Sequence, residues 1–467
     1  MLNILNKKWI EKKNLGKYSK QLLSFKPEIP NTYDSQKKED VKILRILCQR
    51  PFFTGSGINV VNLTKMAKQH NIKQAVIFGH PVGDPDPINK LLKPTQTFPV
   101  IFSNPNEPKI PSELPFPVAG MSDEMPYGST KFSSFDKEML ELYLEKFAEQ
   151  IQIALKRFKP NIIHSHHLWL VTALSRVLCS KLPIVATCHN TALRQMELSP
   201  HLREFVTRPI QALDAIAVID NTQQERVKKL YEFNNDQKTK NKFFHIGQGI
   251  NTNIFHAPKK PQKREPKEPI TIIYVGKLSY SKGVPQLIKA FREVANESEI
   301  PLRLNVIGSG QGPQKEEILS LGEQCDADVY FLGQIEQEAL AEYFRKSDLF
   351  ILPSFYDGFP KVLLEALSSG CRAIITDLPG IKSTLYKTCG PNEQVKFLPM
   401  PKMKSIDEPM PEELPEYVEN LKSLIMEQIE VIKKNISNYE YAYIIRKKFG
   451  KARLFQTYLD KYKELIN

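Results

Sequence analysis

The chain has 467 residues, 41% hydrophobic and 25% charged, with a formal net charge of +13. Such a length predicts two to three domains, and the composition excludes collagen, coiled-coil and disordered classes. The positive charge favours anionic partners, namely nucleic acid, acidic lipid or phosphorylated small molecules. Nucleic acid is set aside, since neither a zinc finger nor a single-strand-binding aromatic motif is present. The six cysteines are scattered without a CxxC pair, which argues against a disulfide framework or zinc site and fits a reducing compartment. No apolar run approaches the roughly 18–20 residues of a membrane span, and the first twenty residues lack a signal-peptide core. The expected location is cytoplasmic, with peripheral contact at the inner face of an anionic membrane.

In chain order, residues 1–40 read as a basic arm. Strands are predicted over 42–48, 73–79, 161–166, 183–188, 215–220 and 243–247, with helical stretches such as 58–69 and 135–158 between them. This alternation predicts a parallel sheet covered by helices, the first α/β domain, over 41–256. Residues 80–131 break the pattern as a long proline-rich loop, of which 116–129 is too apolar for solvent and is expected to pack against a cleft. Residues 257–269, charged and rich in proline, read as an interdomain linker.

The alternation then restarts over 270–436. Strands fall at 271–276, 302–308, 329–333, 348–353 and 372–376, helices at 284–296, 313–324, 336–346 and 360–369. A C-terminal helical pattern occupies 437–467. Two doubly wound units place their ligands at the carboxyl ends of strands, and the cleft between them is the expected site.

Chemistry-bearing residues collect at those strand ends. "TGSG" (54–57) opens a helix, and Gly55 and Gly57 would let backbone approach a phosphate. It is not the GxGxxG of a nicotinamide site. "VGKLSYSKG" (275–283) brackets a loop with Lys277 and Lys282, two ammonium groups suited to a diphosphate or else merely solvated. Pro360 suits the first position of a helix and Gly370 its C-terminal cap. Asp357 then either caps that helix or meets a ligand. Glu365, set among apolar residues, needs a salt bridge or a ligand hydroxyl pair such as a ribose. "HSHH" (164–167) has no acidic or cysteine ligand nearby, so no metal site is expected there. His166, Met125 and Tyr127 are candidates for the acceptor side, and His189 in "TCHNT" for a substrate contact. "DPD" (84–86) has the DxD metal spacing, in a match short enough to arise by chance.

Taken together these motifs resemble the family 4 glycosyltransferases, retaining enzymes of the GT-B fold. The strongest segment is "PSFYDGFPKVLLEALSSGCRAIITDLPG" (353–380), which resembles the family's donor-binding Glu-x7-Glu element. "CHNTALR", "IGQGINTNIF", "VGKLSYSKG", "IGSGQG" and "FLGQI" follow the family's order. The resemblance implies two Rossmann-like domains and a C-terminal helix crossing back to the first. It implies that Asp357 addresses the transferred sugar, Glu365 the ribose, Lys277 and Lys282 the diphosphate, and Ile335 the base. The Gly358, Phe359 and Pro360 region would meet the donor sugar, with His189 on the sugar side; His189, Asp357 and Lys282 are the catalytic candidates. The chain departs from the pattern at Asp357, usually Glu, at Lys277, often Arg, and at Asn190, Gln248 and Asn251.

The expected function is transfer of a sugar, with retention, from a nucleotide-diphosphate donor to an acceptor hydroxyl on a glycan, lipid-linked or small molecule. Neither a cofactor nor a metal is required in this reading. Two alternatives stand beside it: a catalytically silent GT-B partner subunit, and a sugar-nucleotide epimerase on the same fold.

Overall fold

The computed structural model describes residues 15–27, 40–85, 88–107, 110–122, 125–247, 249–259, 268–310, 312–357, 359–405, 407–434 and 439–467. Most of the arm and linker, together with Asp86, Gln248 and Gly358, therefore lie outside the described residues. The chain forms two compact units, one up to Gly247 with Phe455–Asn467 added, the other Gln248–Leu454.

Among the described residues the first unit is built on seven parallel strands: β1 (Lys42–Leu47), β2 (Lys73–Pro81), β3 (Thr97–Phe102), β6 (Ile162–His166), β7 (Ile184–Thr187), β8 (Ala215–Val218) and β9 (Phe243–His245). A two-stranded ribbon, β4 (Ala119–Gly120) with β5 (Thr130–Lys131), accounts for the missing numbers. The sheet order is β3-β2-β1-β6-β7-β8-β9. The central strands β1, KILRIL, and β6, IIHSH, are buried almost throughout, as strands of a parallel sheet covered on both faces are. α1 (Lys17–Ser24) lies in the expected arm, and α2 (Gly55–Gln69) follows β1. α3 (Lys137–Phe158) is capped by Asp136, whose carboxylate accepts from the Met139 amide at 2.8 Å. It buries Leu140, Tyr143, Leu144, Phe147, Ala148, Ile151 and Ala154 along one stripe.

The 80–131 segment is not a simple loop. Its middle supplies edge strand β3, in register with β2 from Val76↔Thr97 to Pro81↔Phe102. Its later part buries Leu114, Phe116, Val118, Ala119 and Met121 in the first core. Prolines hid the strand, since Pro99 at a sheet edge leaves no central ladder bond unmade.

Among the described residues the second unit repeats the plan with six parallel strands: β10 (Ile270–Val275), β11 (Leu302–Ile307), β12 (Asp328–Gly333), β13 (Leu349–Leu352), β14 (Arg372–Thr376) and β15 (Val395–Leu398), in the order β12-β11-β10-β13-β14-β15. In each sheet the strand order reverses beside the first strand, between β1 and β6 and between β10 and β13. A crevice opens at such a reversal, beyond the carboxyl ends of the strands.

The change of unit falls at Gly247, ahead of the expected 257–269 linker. Residues 250–256 already pack in the second unit. Ile250 and Phe255 join its core, the Ile250 amide donates to the Phe449 carbonyl at 2.9 Å, and the Ser368 hydroxyl donates to the Phe255 carbonyl at 2.6 Å. The C-terminal pattern is two helices separated at Gly450, Glu440–Phe449 and Lys451–Ile466. The former buries Tyr441, Ile445 and Phe449 in the second core, and the chain returns to the first unit only from Phe455.

Candidate active site

At the reversal in the second unit, three loops are knitted together through their backbones. The Gly276 amide donates to Ile307, Leu278 to Ser309 at 3.0 Å, and Phe355 to Ser281 at 2.9 Å. Gly283 caps the short turn Tyr280–Lys282 with φ +66°, and a Cβ there would run into the Pro353 carbonyl oxygen. A glycine is needed on both counts, and it lets the 276–283 loop lie directly on the loop after β13. That contact brings Lys282 to Asp357: Nζ donates to Oδ2 at 2.7 Å and to the Tyr356 carbonyl at 3.0 Å. Both side chains keep about a quarter of their surface, 23% and 28%. Lys277 is exposed two residues beyond β10, and its carbonyl accepts from the buried Tyr274 hydroxyl at 2.8 Å.

The helix after Asp357 runs Lys361–Ser368, with Pro360 at its N-cap position rather than inside the first turn as expected. Gly370 sits just past its end at φ +104°, as its predicted capping role requires. Glu365 is buried at 7% exposure, and Lys361, one turn earlier, approaches its Oε1 at 3.4 Å. Burial raises the Glu365 carboxyl above its ordinary range, partly offset by Lys361 and Lys451. Phe359 stacks on Phe449 at 6.0 Å between ring centres. Ile335, just past β12, is half-buried against the second core. Gly358 of the candidate set lies outside the described residues.

The first unit presents a different collection at its reversal. Arg45, inside β1, is fully buried. Its guanidinium meets the Gln74 Oε1 at 3.2 Å, the His164 Nδ1 at 3.0 Å, the Leu63 carbonyl at 3.4 Å and the Tyr462 hydroxyl at 3.5 Å. Because arginine only donates, His164 Nδ1 is an acceptor and the proton resides on Nε2, 2.8 Å from Thr187 Oγ1. Thr187 continues to the Tyr458 hydroxyl at 2.6 Å. This network holds residues 455–467 on the first sheet. Sequence reading missed Arg45, Thr187, Tyr458 and Tyr462; an arginine within the run "KILRIL" was the available signal.

His164 and His166 share one face of β6, as the strand period requires, with rings stacked 4.5 Å apart. His166 Nδ1 lies 3.4 Å from His189 Nε2, and the His167 ring is 4.7 Å from that of His189. His167 is held at φ +72°, unusual for a side chain of its size. The Nε2 atoms of His166 and His167 are buried without a partner. Burial lowers all four imidazoles, that of His189 to about 4, with Arg45 adding to the effect on His164 and His166. Among the described residues, no group of three or more His, Cys, Asp or Glu side chains is disposed around a metal position.

The remaining candidates divide. Gly57 donates its amide to Thr54 Oγ1 at 3.1 Å, and its Cβ would lie 2.7 Å from the Arg50 carbonyl, so close packing accounts for that glycine. Gly55 has open space above it. Asp84 pairs with Arg50 and accepts from Asn104 at 3.0 Å. Tyr127 stands edge-on to Phe53 at 5.7 Å, its hydroxyl buried, and Met125 lies against Gly120.

The family model for glycosyl transferases group 1 matches residues 256–388, which carry the Lys282–Asp357 pair and Glu365. The model for glycosyltransferase family 4 matches residues 129–252, which carry the histidines. The chain belongs to the family 4 glycosyltransferases. Among curated relatives, a D-inositol 3-phosphate glycosyltransferase from Rhodococcus erythropolis is 28% identical over 54% of this chain and 60% of its own. A putative teichuronic acid biosynthesis glycosyltransferase from Bacillus subtilis is 24% identical over 49% of this chain and 56% of its own. The chain thus spans little more than half the length of these two relatives. An Anabaena protein solved in complex with UDP and glucose shares the fold, with TM-score 0.53 and 15% identity over 90% of this chain and 99% of that one. This family 4 glycosyltransferase has no helix among its described residues long and apolar enough to cross a membrane.

Proposed function

We propose that the protein transfers a sugar, with retention at the anomeric carbon, from a nucleotide-diphosphate sugar to an acceptor hydroxyl, and that it does so without a metal. The observation carrying this reading is the Lys282 Nζ–Asp357 Oδ2 pair at 2.7 Å, at the reversal point of the second sheet. An ammonium there can take the charge that grows on a departing diphosphate, with Lys277 as its second cation. Asp357 is oriented by that same ammonium and is the candidate for the transferred sugar. His189, neutral through burial, is the first unit's candidate for a hydroxyl of that sugar. The leaving phosphate oxygen then serves as the base for the acceptor hydroxyl on the same face.

Glu365 supports the nucleotide half of the reading. Its carboxyl is raised by burial, so at neutral pH its charge is less favoured in the folded chain than in the unfolded one. A charge held at a cost to stability fits a hydrogen-bonding task toward a ligand, here the ribose hydroxyls. Ile335 is the candidate neighbour of the base, and the Anabaena relative's UDP is consistent with a nucleoside diphosphate as the moiety to test first. The acceptor belongs to the first unit in this reading, with Met125, Tyr127 and His166, and the chain works beside an anionic membrane.

Calorimetric titration with a panel of nucleoside diphosphates tests the reading, followed by product analysis with the nucleotide sugar that binds. Stoichiometric nucleotide binding and sugar transfer to an added acceptor, insensitive to chelator, are expected. Conversion of the donor into an isomerised sugar nucleotide without acceptor, or loss of turnover on chelation with recovery on adding a divalent ion, contradicts it.

A further inference from the structure

One surface of the first unit lies beside the groups invoked above and meets them at Phe53, which stands against Tyr127. From Val41 to Asn106 the only acids are Asp84 and Asp86, and Asp84 is paired with Arg50. The exposed side of α2 carries Ile58, Lys65 and Lys68. Ile58 and Lys65 are seven residues apart and so share a face of the helix. Beside the C-terminal end of α2 an open groove of ≈ 580 Å³ is lined by Lys68, Lys73, Lys90 and Lys93, with amide and apolar residues and, among the described residues, no acid. Lys68 ties the two together by donating to the Leu91 carbonyl at 3.2 Å. At the N-terminal end, the entry loop exposes Phe52 at 38% and Phe53 at 43%, followed by Ile58 at 44%. Phe52 is held there at φ +72°, and Phe53 lies 4.1 Å from the Arg50 guanidinium.

We propose that this strip, the outer face of α2 with residues 88–96 beside it, docks the protein on an anionic bilayer. Its lysines would meet lipid phosphates, and Phe52, Phe53 and Ile58 would enter the headgroup layer. The strip runs about 20 Å along α2, with the lysines gathered around the open groove at its C-terminal end and exposed Phe52, Phe53 and Ile58 at the other. A free phosphate would have no use for the exposed aromatic end, whereas basic and apolar side chains on one exposed strip are the pattern of an interfacial surface. The proposal gives a surface to the membrane-side reading of the enzyme, and vesicle binding is measured without turnover, so either can fail alone.

The test is co-sedimentation of the full chain with phosphatidylcholine vesicles and with vesicles in which a third of the lipid is phosphatidylglycerol. Binding to the anionic vesicles only, weakened by salt, is expected. A variant combining Lys65→Gln, Lys68→Gln, Lys90→Gln and Lys93→Gln should lose roughly five-fold in partitioning per lysine removed, with an unchanged melting temperature. The Phe52→Ser, Phe53→Ser double variant should bind more weakly while keeping its salt dependence. The proposal is overturned if wild-type protein stays in the supernatant, or if the four-lysine variant binds as wild type does, which would move the contact to another basic segment. Thermal stabilisation by inorganic phosphate without vesicle binding would mark a free-anion site and also overturn it.

Discussion

The two sheets reverse in the same way, yet the side chains at their reversal points are opposites. Beyond β10 and β13 stand a lysine, an aspartate and an exposed second lysine on glycine-built loops, with Lys282 and Asp357 keeping about a quarter of their surface. In the first unit, Arg45 on β1, His164 on β6, Thr187 on β7, and Tyr458 and Tyr462 on the last helix are buried and linked by hydrogen bonds. Arg45 is met there by an amide, an imidazole, a phenol and a carbonyl oxygen, so a neutral polar network balances a buried cation. A carboxylate close by would offer a stronger partner at a larger desolvation cost. The second site thus keeps its charge where a ligand can use it, whereas the first converts polar groups into structure, leaving the Nε2 atoms of His166 and His167 without a partner. Substitutions in the second should therefore appear in ligand affinity and turnover, and those in the first in stability.

The largest effect expected is at Asp357. Asp357→Asn removes the charge paired with Lys282 but preserves the side chain's size. Turnover should fall by about 10²–10³-fold, the range for one electrostatic contact made mainly in the transition state. Nucleoside diphosphate affinity and melting temperature should barely move, because a partly exposed ion pair adds only about 0–1 kcal/mol to stability. Stopped assays beside a calorimetric titration check this. A variant that melts early and turns over normally would show that Asp357 is structural, erasing the contrast. Asp357→Glu sharpens it by asking whether the longer acid usual in the family still fits this loop.

Next comes Glu365→Gln. Loss of a charge-assisted hydrogen bond of roughly 1.5–3 kcal/mol should weaken the nucleotide about ten- to hundred-fold. The melting temperature distinguishes this from a salt-bridge role. Because burial raises the Glu365 carboxyl, its ionised form favours the unfolded chain at pH 7, and an uncharged amide should hold or raise the melting point. A fall in stability with unchanged nucleotide affinity would make the Lys361–Glu365 pair the whole explanation of that residue.

Much of this contrast was open to sequence reading on one side only. Most strands of both units announce themselves as Ile- and Val-rich runs, and Lys282, Asp357 and Glu365 sit in an ordered set of motifs. The pairing of Lys282 with Asp357 depends on Gly283 allowing two loops to touch, a tertiary event that composition does not encode. The first unit's network joins Arg45 to Tyr462, 417 positions away, through side-chain hydrogen bonds with no local period. The left-handed backbone of His167 leaves no mark in residue type either. Prolines at an edge strand disguised β3 as a loop, and the chain enters the second unit before its charged linker because Ile250 and Phe255 are core residues.

The pH dependence should also separate the two regions. His164, His166, His167 and His189 are depressed in the fold by burial, with Arg45 as a neighbouring cation for the first two. The unfolded chain therefore binds their protons first, near the ordinary histidine value of about 6.5. Their contribution is fully present above that pH and is lost as pH falls toward the depressed values, about 4 for His189. Each proton taken up on unfolding gives a slope of about 1.4 kcal/mol per pH unit in that window. Melting curves from pH 7.5 to 5 should show the loss, and His167→Gln should shallow it. A flat profile would mean that the cluster is hydrated and accepts protons while folded.

The smallest effect is the sharpest test of the division of labour. Tyr462 places its hydroxyl 2.6 Å from His164 Nδ1 and receives a long contact from Arg45. Tyr462→Phe keeps the ring, and His164 Nδ1 retains Arg45 at 3.0 Å, so no buried acceptor is left bare. The cost should be one ordinary hydrogen bond, about 1 kcal/mol, and a melting shift of about 2–4 °C for a unit of this size. Removing Arg45 instead strands Gln74 Oε1 and leaves Nδ1 to Tyr462 alone, so Arg45→Met should cost more than Tyr462→Phe. Nucleoside diphosphate affinity should be the same in both variants, since none of these groups lies in the second unit. If Tyr462→Phe alone changes that affinity, residues 455–467 do more than hold to the first sheet, and the last helix, which begins in the second unit at Lys451, becomes the element through which the two regions are coupled.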